Sequence, residues 1–239
     1  GKFNQIDAAL KHAEEMIGDG ADVIDIGGES TRPGYTKISD EEETDRVVPV
    51  IEAVKKEFEI PISVDTYKSG VAEAAAEAGA DLINDIWGLK YDARMAEVIA
   101  KSGLACCLMH NRDNTEYRNF MEDMKQNLRE TIALAKAAGI ADDKIILDPG
   151  VGFAKSYENN LEVIRRLKEF NELKYPVLLG TSRKSVIGLT LDLPAAERVE
   201  GTIVTTVMAV EAGCMFVRVH DVKENHRAIQ MAEAILDRK

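Results

Sequence analysis

Polar and charged side chains close most of the short apolar runs in this 239-residue sequence. The runs include ISVD, LIND, KIILD, PVLLGTSRK and CMFVRVH. The residues at their ends are Asp65, Asn84, Asp85, Asp148, Lys184, Arg218 and His220, and the apolar Met109 ends a further run. Carboxylates and a carboxamide can pair with the donor and acceptor groups of a bound heterocycle, and the cations can bind an anion. The set therefore indicates a binding or catalytic site made at the ends of strands.

Each of these residues also has a purely structural interpretation. An Asp at a strand end can cap the following turn, and the Pro-Gly of DPG is ordinary turn chemistry. With DIGGESTRPG, Asp25 to Gly34, after the first run, the pattern recurs at seven separate strand ends, so a common functional edge is the better explanation of the whole set. His110, which follows Met109, borders this edge with no role that the sequence assigns.

Seven apolar runs predict seven strands. They begin at Asp22, Ile60, Asp81, Leu104, Lys144, Pro176 and Cys214. The runs are nearly continuous in aliphatic residues and do not alternate with polar ones, which is typical of parallel strands covered on both faces.

Amphipathic helices are predicted between the strands. Ile6, Leu10, Ala13 and Ile17 recur at helical spacing, and SDEE from Ser39 fits a capping box at the start of another helix. Strict alternation of strand and helix predicts a (β/α)8 TIM barrel, with a doubly wound open sheet as the alternative. No G-x-G-x-x-G follows a strand, and no linker interrupts the pattern, so we expect one domain over residues 1–239.

The barrel count is one strand short. The sequence opens on a helix, so we expect the first strand and its loop to be missing from the N-terminus, either from this sequence alone or from the protein itself. Loss of a strand would expose two strand edges and open the core.

Composition restricts the partners. With 30 basic and 42 acidic side chains the net charge is -12, which argues against nucleic-acid and anionic-membrane surfaces. Cys106, Cys107 and Cys214 lie in apolar runs without ligand spacing and are expected to be reduced core residues, which suits the cytoplasm. We expect no membrane span, since no run reaches about 18 apolar residues, and no signal peptide.

Six motifs together resemble the dihydropteroate synthases. They are DIGGESTRPGYTKISDEEE, ISVDTYKS, INDIWG, ILDPGVGFAK, LLGTSRKS and RVHDVKEN, in this order. The resemblance implies a transferase of folate biosynthesis that condenses 6-hydroxymethyl-7,8-dihydropterin pyrophosphate with p-aminobenzoate to give 7,8-dihydropteroate and pyrophosphate. It also implies inhibition by sulfonamides and a homodimer, for which the apolar segment 200–213 is a candidate surface.

The pterin edge presents adjacent N–H and NH2 donors, which a carboxylate accepts in bidentate fashion, and Asp148 is the predicted acceptor. The resemblance places Asn84 and Asp65 in the same pocket. The remaining substrate-binding positions are Gly180 and the apolar residues Ile86, Met109 and Phe153, although each apolar residue could equally be core.

The resemblance makes Arg218 and His220 anchors for the departing pyrophosphate, and their spacing predicts that they share one side of the last strand. A dissociative displacement leaves cationic character on the pterin methylene, which Asp65 would stabilise. Lys184 is implied to contact the pterin, and as a buried lysine it needs partners, for which Asp65 and Asp148 are candidates. Asp65, Lys184, Arg218 and His220 are therefore the predicted catalytic residues.

The family folds the loop that carries Thr31, Arg32 and Pro33 over p-aminobenzoate and pyrophosphate, and it uses Ser185 near the aminobenzoate ring. Ser185 could also cap a helix, and Arg183 either joins the site or points outward at a helix start. The implied cofactor is Mg²⁺, but its Asn contact would precede Gly1, so no metal ligand is predicted in this sequence.

Two other functions stay open. A pterin-dependent methyltransferase domain shares the barrel and the acidic pocket but handles no pyrophosphate, so TSRK and RVHD argue against it. A truncated, non-catalytic pterin-binding barrel is the second alternative. Methyl transfer from a methyltetrahydrofolate donor, or pterin binding without pyrophosphate release, would identify them.

Overall fold

The computed structural model describes residues 6–30 and 36–237. The predicted loop residues Thr31, Arg32 and Pro33 lie outside this range. The chain divides into two compact units, one formed by residues up to 108 together with 131–145, and the other by residues 109–130 and 146 onward.

Strands and helices alternate as the sequence predicted. The strands are β1 (Ile24–Gly27), β2 (Ile62–Asp65), β3 (Leu82–Asp85), β4 (Ala105–Met109), β5 (Ile145–Asp148), β6 (Leu178–Leu179) and β7 (Phe216–Val217). The helices are α1 (Ile6–Gly18), α2 (Asp40–Glu57), α3 (Ser69–Glu77), α4 (Met95–Ser102), α5 (Phe120–Ala137), α6 (Tyr157–Arg165), α7 (Ser185–Leu191), α8 (Val199–Ala212) and α9 (Val222–Ile235). Short 3-10 helices cover Asp142–Lys144, Leu167–Leu173 and Ala195–Glu197. All seven predicted strands are present.

The strands are parallel. They form a five-stranded sheet in the order β1-β2-β3-β4-β5 and a two-stranded sheet of β6 and β7. Every residue of β2 and of β5 is buried. This burial on both faces explains why the strand sequences show continuous apolar runs without alternation.

The predicted capping box opens α2. Ser39 is the N-cap, and its hydroxyl accepts a hydrogen bond from the Glu42 N–H at 3.1 Å. The Glu42 side chain turns to Arg46 and forms a surface ion pair there. The helix start therefore depends on the Ser39 half of the motif.

A buried ion cluster links the end of β1 to the starts of α2 and α3 in the first unit. The Lys68 Nζ lies 2.9 Å from Glu29 and 2.7 Å from Glu43, and all three side chains are at most 7% exposed. Lys68 also donates to the Ile38 carbonyl, and Tyr67 donates its hydroxyl hydrogen to Glu29. Burial lowers the pKa of Lys68, but the hydrogen bonds to Glu43 and Glu29 outweigh it, so the net pKa is raised and the residue stays charged.

The second unit packs α8 against α9. Threonines of α8 form a buried polar layer, in which Thr205 bonds the Thr181 hydroxyl at 2.7 Å and Thr206 donates to Asn225 at 2.7 Å. The other side of α8 exposes Val204 and Val207. Across residues 6–30 and 36–237, no helix combines the length and the apolar character that crossing a membrane requires.

We expect Lys68→Met to lower the free energy of unfolding by about 3 to 5 kcal/mol, because it leaves two buried carboxylates without their cation. Urea titration measures this change. The matched control is Lys55→Met, whose exposed pair with Asp81 should contribute less than about 1 kcal/mol. Equal losses in the two variants would contradict the importance of the buried cluster.

Candidate active site

Asp148 is the centre of the charged groups in the second unit. It ends β5, is 5% exposed, and accepts a hydrogen bond from the Gly150 N–H at 2.6 Å. Burial raises the pKa of Asp148, while Lys184, the Gly150 N–H, Lys155 and Arg218 act to lower it. A carboxylate removed from water but surrounded by cations and N–H groups is a strong acceptor for a ligand that brings donors of its own.

Lys184 lies beside Asp148. It is the N-cap residue of α7, and its ammonium donates to the Val151 carbonyl at 2.5 Å and lies 5.0 Å from the centroid of the Phe153 ring. The contact with Phe153 is a cation–π interaction. Of the two predicted carboxylate partners, Asp148 lies in this unit, where its charge interacts with that of Lys184.

Gly180 leaves space between these charges. A Cβ atom added to it would lie 3.7 Å from the Asp148 Oδ2, 3.8 Å from the Lys184 Nζ and 4.0 Å from the Arg218 Cβ. All three predicted site residues therefore face the same glycine. A larger side chain here would fill the space in which a ligand could reach both charges.

The neighbouring cations Arg183 and Lys184 have different partners. Arg183 has a positive φ of 58° and forms a two-pronged ion pair with Asp221, including an Nε–Oδ2 distance of 3.0 Å. The pair raises the pKa of Arg183. Arg183 lies just before α7, near the helix start that one interpretation gave it, and its side chain ties this turn to the start of α9. Ser185 is the exposed first residue of α7, so the N-cap position belongs to Lys184.

The predicted placement of Arg218 and His220 on the last strand is wrong. Strand β7 ends at Val217 because β6, its partner, ends at Leu179 and the chain then turns into TSRK. Arg218 is exposed, and its N–H still donates to the Leu179 carbonyl at 3.0 Å. His220 is also exposed, and its backbone N–H and Nδ1 lie 3.1 and 2.9 Å from the Ser182 hydroxyl.

Two residues of the second unit were not assigned from the sequence. Lys155 ends the DPGVGFAK motif, and its Nζ lies 3.1 Å from the Nδ1 of the buried His110. The motif was recognised, but its lysine gave no sign of its partner because His110 is 45 positions away. Of the predicted apolar walls, Met109 is 3% exposed and Phe153 is partly buried.

In the first unit the strand register places Asp65 beside Asn84. The two residues are aligned on β2 and β3, and the Thr66 N–H donates to the Asn84 carbonyl at 3.1 Å. Asp65 is 7% exposed, Asn84 is 5% exposed, and the predicted wall residue Ile86 is buried after them. Since aligned residues of parallel strands point to the same face, both side chains lie on one face of the sheet.

Asp85 has the structural role that was weighed for every strand-end carboxylate. It accepts hydrogen bonds from the Trp87 N–H at 2.8 Å and the Leu89 N–H at 2.7 Å, and so builds the turn after β3. Burial, together with the charge of Asp65, raises the pKa of Asp85 from 3.8 to about 6 against the effect of these hydrogen bonds. Asp85 therefore supports the turn beside Asn84.

Within the described ranges 6–30 and 36–237, no group of three or more His, Cys, Asp or Glu side chains could hold a metal ion. Protein ligands for a divalent cation are therefore not identified in this part of the chain.

The chain is similar to known enzymes over its whole length. The model of the pterin binding enzyme family matches residues 1–220. The dihydropteroate synthase of Clostridium beijerinckii is 62% identical over 100% of this chain and 89% of the relative. That of Bacillus subtilis is 52% identical over 100% of this chain and 84% of the relative.

Solved structures show the same similarity. The dihydropteroate synthase of Clostridium difficile with pteroic acid has a TM-score of 0.97 and 51% identity, and covers 100% of this chain and 91% of its own. The Yersinia pestis enzyme with a sulfonamide drug complex has a TM-score of 0.95 and 43% identity, and the match covers 98% of this chain and 87% of the other. The Xanthomonas albilineans enzyme with 4-aminobenzoic acid has a TM-score of 0.93 and 38% identity, and the match covers 97% of this chain and 85% of the other. The predicted TIM-barrel fold is confirmed.

We expect the contribution of Asp85 to the free energy of unfolding to fall by about 3 kcal/mol as pH rises from about 4 to 6. The raised pKa means that the folded state binds this proton more tightly than the unfolded state, and the advantage is lost when Asp85 ionises. Urea midpoints measured at several pH values in this window test the prediction.

The control for this prediction is Asp85→Asn, which cannot titrate. It should be less stable overall, because an amide NH2 would face a backbone N–H, and it should lack the Asp85 part of the pH slope. The same slope in both proteins would contradict the raised pKa.

Proposed function

The chain belongs to the pterin-binding enzyme family, within the dihydropteroate synthases, and from that premise we propose a role for each charged residue of the two units. The family reaction is a transfer in folate biosynthesis, in which the amine of p-aminobenzoate displaces pyrophosphate from the methylene of 6-hydroxymethyl-7,8-dihydropterin pyrophosphate. The products are 7,8-dihydropteroate and pyrophosphate.

The observation that carries the proposal is the buried Asp148 with Lys184 beside it, both facing Gly180. Asp148 accepts the paired N–H donors of the pterin edge, and Lys184 donates to the pterin oxygen and ring nitrogen. A bidentate carboxylate contact fixes the plane of the ring as well as its position. The raised pKa of Asp148 supports this role, because a ligand that donates two hydrogen bonds supplies the stabilisation that burial removes.

For Asp65 and Asn84 we propose the pterin contacts that the family resemblance implies. Their alignment on β2 and β3 supports a joint role, with Asn84 pairing to ring nitrogens and Asp65 as the anion near the methylene. Because positive charge develops on that carbon as pyrophosphate departs, an oriented carboxylate lowers the energy of the transition state. Ile86, Met109 and Phe153 would cover the ring.

Arg218 and His220 receive the pyrophosphate. Both are exposed beyond β7, where a charged group can enter from water without a large desolvation cost. The contact with Ser182 holds the His220 ring, and the backbone bond to Leu179 holds Arg218 next to β6. Thr31, Arg32, Pro33 and Ser185 remain predicted contacts of p-aminobenzoate.

We infer the ligands from the solved relatives, which were obtained with pteroic acid, 4-aminobenzoic acid and a sulfonamide drug. The chain binds the same three kinds of molecule in this proposal, with the sulfonamide occupying the aminobenzoate position. The methyltransferase alternative is less well supported, since the relatives at 62% and 52% identity are dihydropteroate synthases.

We also propose Mg²⁺ as the cofactor. Mg²⁺ commonly binds with few protein ligands together with substrate phosphates. Residues of this chain that would hold it are not identified within ranges 6–30 and 36–237. A bound ion would supply positive charge to the pyrophosphate.

A homodimer is proposed through α8 and α9. These packed helices expose Val204, Val207, Met231 and Ile235, with Ile235 71% exposed. Such apolar exposure on two adjacent helices is typical of an interface.

We further propose that the protein works in the cytoplasm, which cell fractionation tests. The buried thiols of Cys106 and Cys107 suit a reducing compartment.

We expect pyrophosphate release that requires dihydropterin pyrophosphate, p-aminobenzoate and Mg²⁺, and that stops when the metal is chelated. Lys184→Ala should lower kcat/KM by about 10² to 10³-fold, because one donor to the reacting ring is lost. Lys168→Ala, an exposed lysine of the same unit, should stay within about twofold of wild type. Unchanged pyrophosphate release in Lys184→Ala would contradict the role of Lys184. Unchanged release in excess chelator would contradict the role of Mg²⁺.

We expect light scattering to give twice the chain mass for the wild type and a lower mass for Val204→Glu at low micromolar concentration. A buried charge at the interface would have no partner there. The control is Leu134→Glu on α5, which is another exposed aliphatic position, and this variant should remain dimeric. A Val204→Glu protein that stays dimeric would exclude this surface.

A further inference from the structure

The segment Gly150–Ala154, the carbonyl loop, follows β5 in the second unit. Gly150, Gly152 and Ala154 all have positive φ, of 68°, 87° and 48°. This alternation curls the backbone so that its carbonyls do not enter a strand ladder or a helix. The loop closes on itself through one backbone bond, from the Phe153 N–H to the Gly150 carbonyl at 3.1 Å.

Side chains supply most of the donors that the carbonyl loop needs. Lys155 donates to the Gly150 carbonyl at 2.8 Å and to the Phe153 carbonyl at 2.9 Å. Lys184 donates to the Val151 carbonyl, and the Tyr117 hydroxyl donates to the Ala154 carbonyl at 2.8 Å. Lys155 therefore joins the first residue of the loop to a residue near its end.

The surroundings of Lys155 disfavour its charge but not its hydrogen bonds. Burial lowers the pKa of Lys155 to about 7, Lys184 and Arg112 act in the same direction, and Asp148 acts against them. The third partner is the Nδ1 of His110, which can accept from an ammonium or donate to a neutral amine. In either form the nitrogen can hold both carbonyls.

The loop held by Lys155 fixes the two proposed pterin residues. The Gly150 N–H donates to the Asp148 carboxylate, the Val151 carbonyl accepts from Lys184, and the Phe153 ring lies against the Lys184 ammonium. Gly150 has no room for a side chain, since a Cβ there would lie 2.1 Å from the His110 carbonyl. Movement of the loop would therefore displace Asp148 and Lys184 together.

We infer that Lys155 is a positioning residue for pterin binding, which fastens the Gly150 and Phe153 carbonyls and through them orients Asp148 and Lys184. The inference rests on the proposed function of these two residues. Lys155 itself acts through the loop and not on the reacting atoms.

The test compares Lys155→Met with wild type. Removal of the nitrogen should raise the KM for dihydropterin pyrophosphate at least about tenfold, since two carbonyl hydrogen bonds are lost. The KM for p-aminobenzoate should change by less than about twofold on the same scale. Lys155→Gln keeps an NH2 donor and serves as a second variant, with a smaller expected effect, if the methionine variant does not fold.

The matched control is Lys125→Met. Lys125 is another buried lysine of the second unit, with its Nζ 2.8 Å from Glu122 and 2.9 Å from Glu172. Its loss should lower stability in urea without changing the KM for the pterin substrate. A similar rise in KM in both variants would show a general loss of stability and overturn the inference.

Binding of pteroic acid, which has no pyrophosphate, separates positioning from direct contact. The inference predicts that Lys155→Met weakens pteroic acid at least as much as it raises the KM of the pterin substrate. Unchanged pteroic acid binding beside a raised KM would instead place Lys155 on the pyrophosphate and overturn the inference. If wild type released no pyrophosphate, the proposed function would fail, and pteroic acid affinity would still decide about Lys155.

Discussion

The buried carboxylate of Asp148 is the constraint on which the second unit depends. A carboxylate at the end of a buried strand loses its hydration, which raises its pKa and disfavours its charge. The chain meets this cost with the Gly150 N–H and with the positive charges of Lys184, Lys155 and Arg218. The same groups give the site its chemistry, because a carboxylate with partly satisfied acceptor capacity and nearby cations suits a ligand that carries both N–H donors and an anionic group.

Two of the three cations near this acid also have other partners. Lys184 contacts the Val151 carbonyl and the Phe153 ring, and Lys155 contacts two carbonyls and His110. The uncharged carbonyl groups of the carbonyl loop thus accept hydrogen bonds from both ammonium groups. Arg183 is kept apart from this group, because its positive φ turns the chain between it and Lys184 and its side chain binds Asp221.

The first unit also buries charged side chains, but there two carboxylates surround one lysine. Its lysine, Lys68, is enclosed by the two carboxylates of Glu29 and Glu43, and these ion pairs support the packing of α2 and α3. The strand register brings Asp65 and Asn84 together. In Asp85, the next residue, both carboxylate oxygens accept hydrogen bonds from the turn. Successive strand-end residues therefore take different roles, because neighbouring side chains of a strand point to opposite faces of the sheet.

The sequence by itself determined the seven strands, the Ser39 cap and the identity of the charged residues at the strand ends, because hydrophobic period and capping are local properties. The family motifs added the reaction. Only the tertiary structure decided which partner each charge has. Arg183 and Asp221 are 38 positions apart, and Lys155 and His110 are 45 apart, so no local pattern connects them. The end of β7 before Arg218 was likewise decided by the length of β6, its partner, since a strand lasts only as long as its ladder of hydrogen bonds.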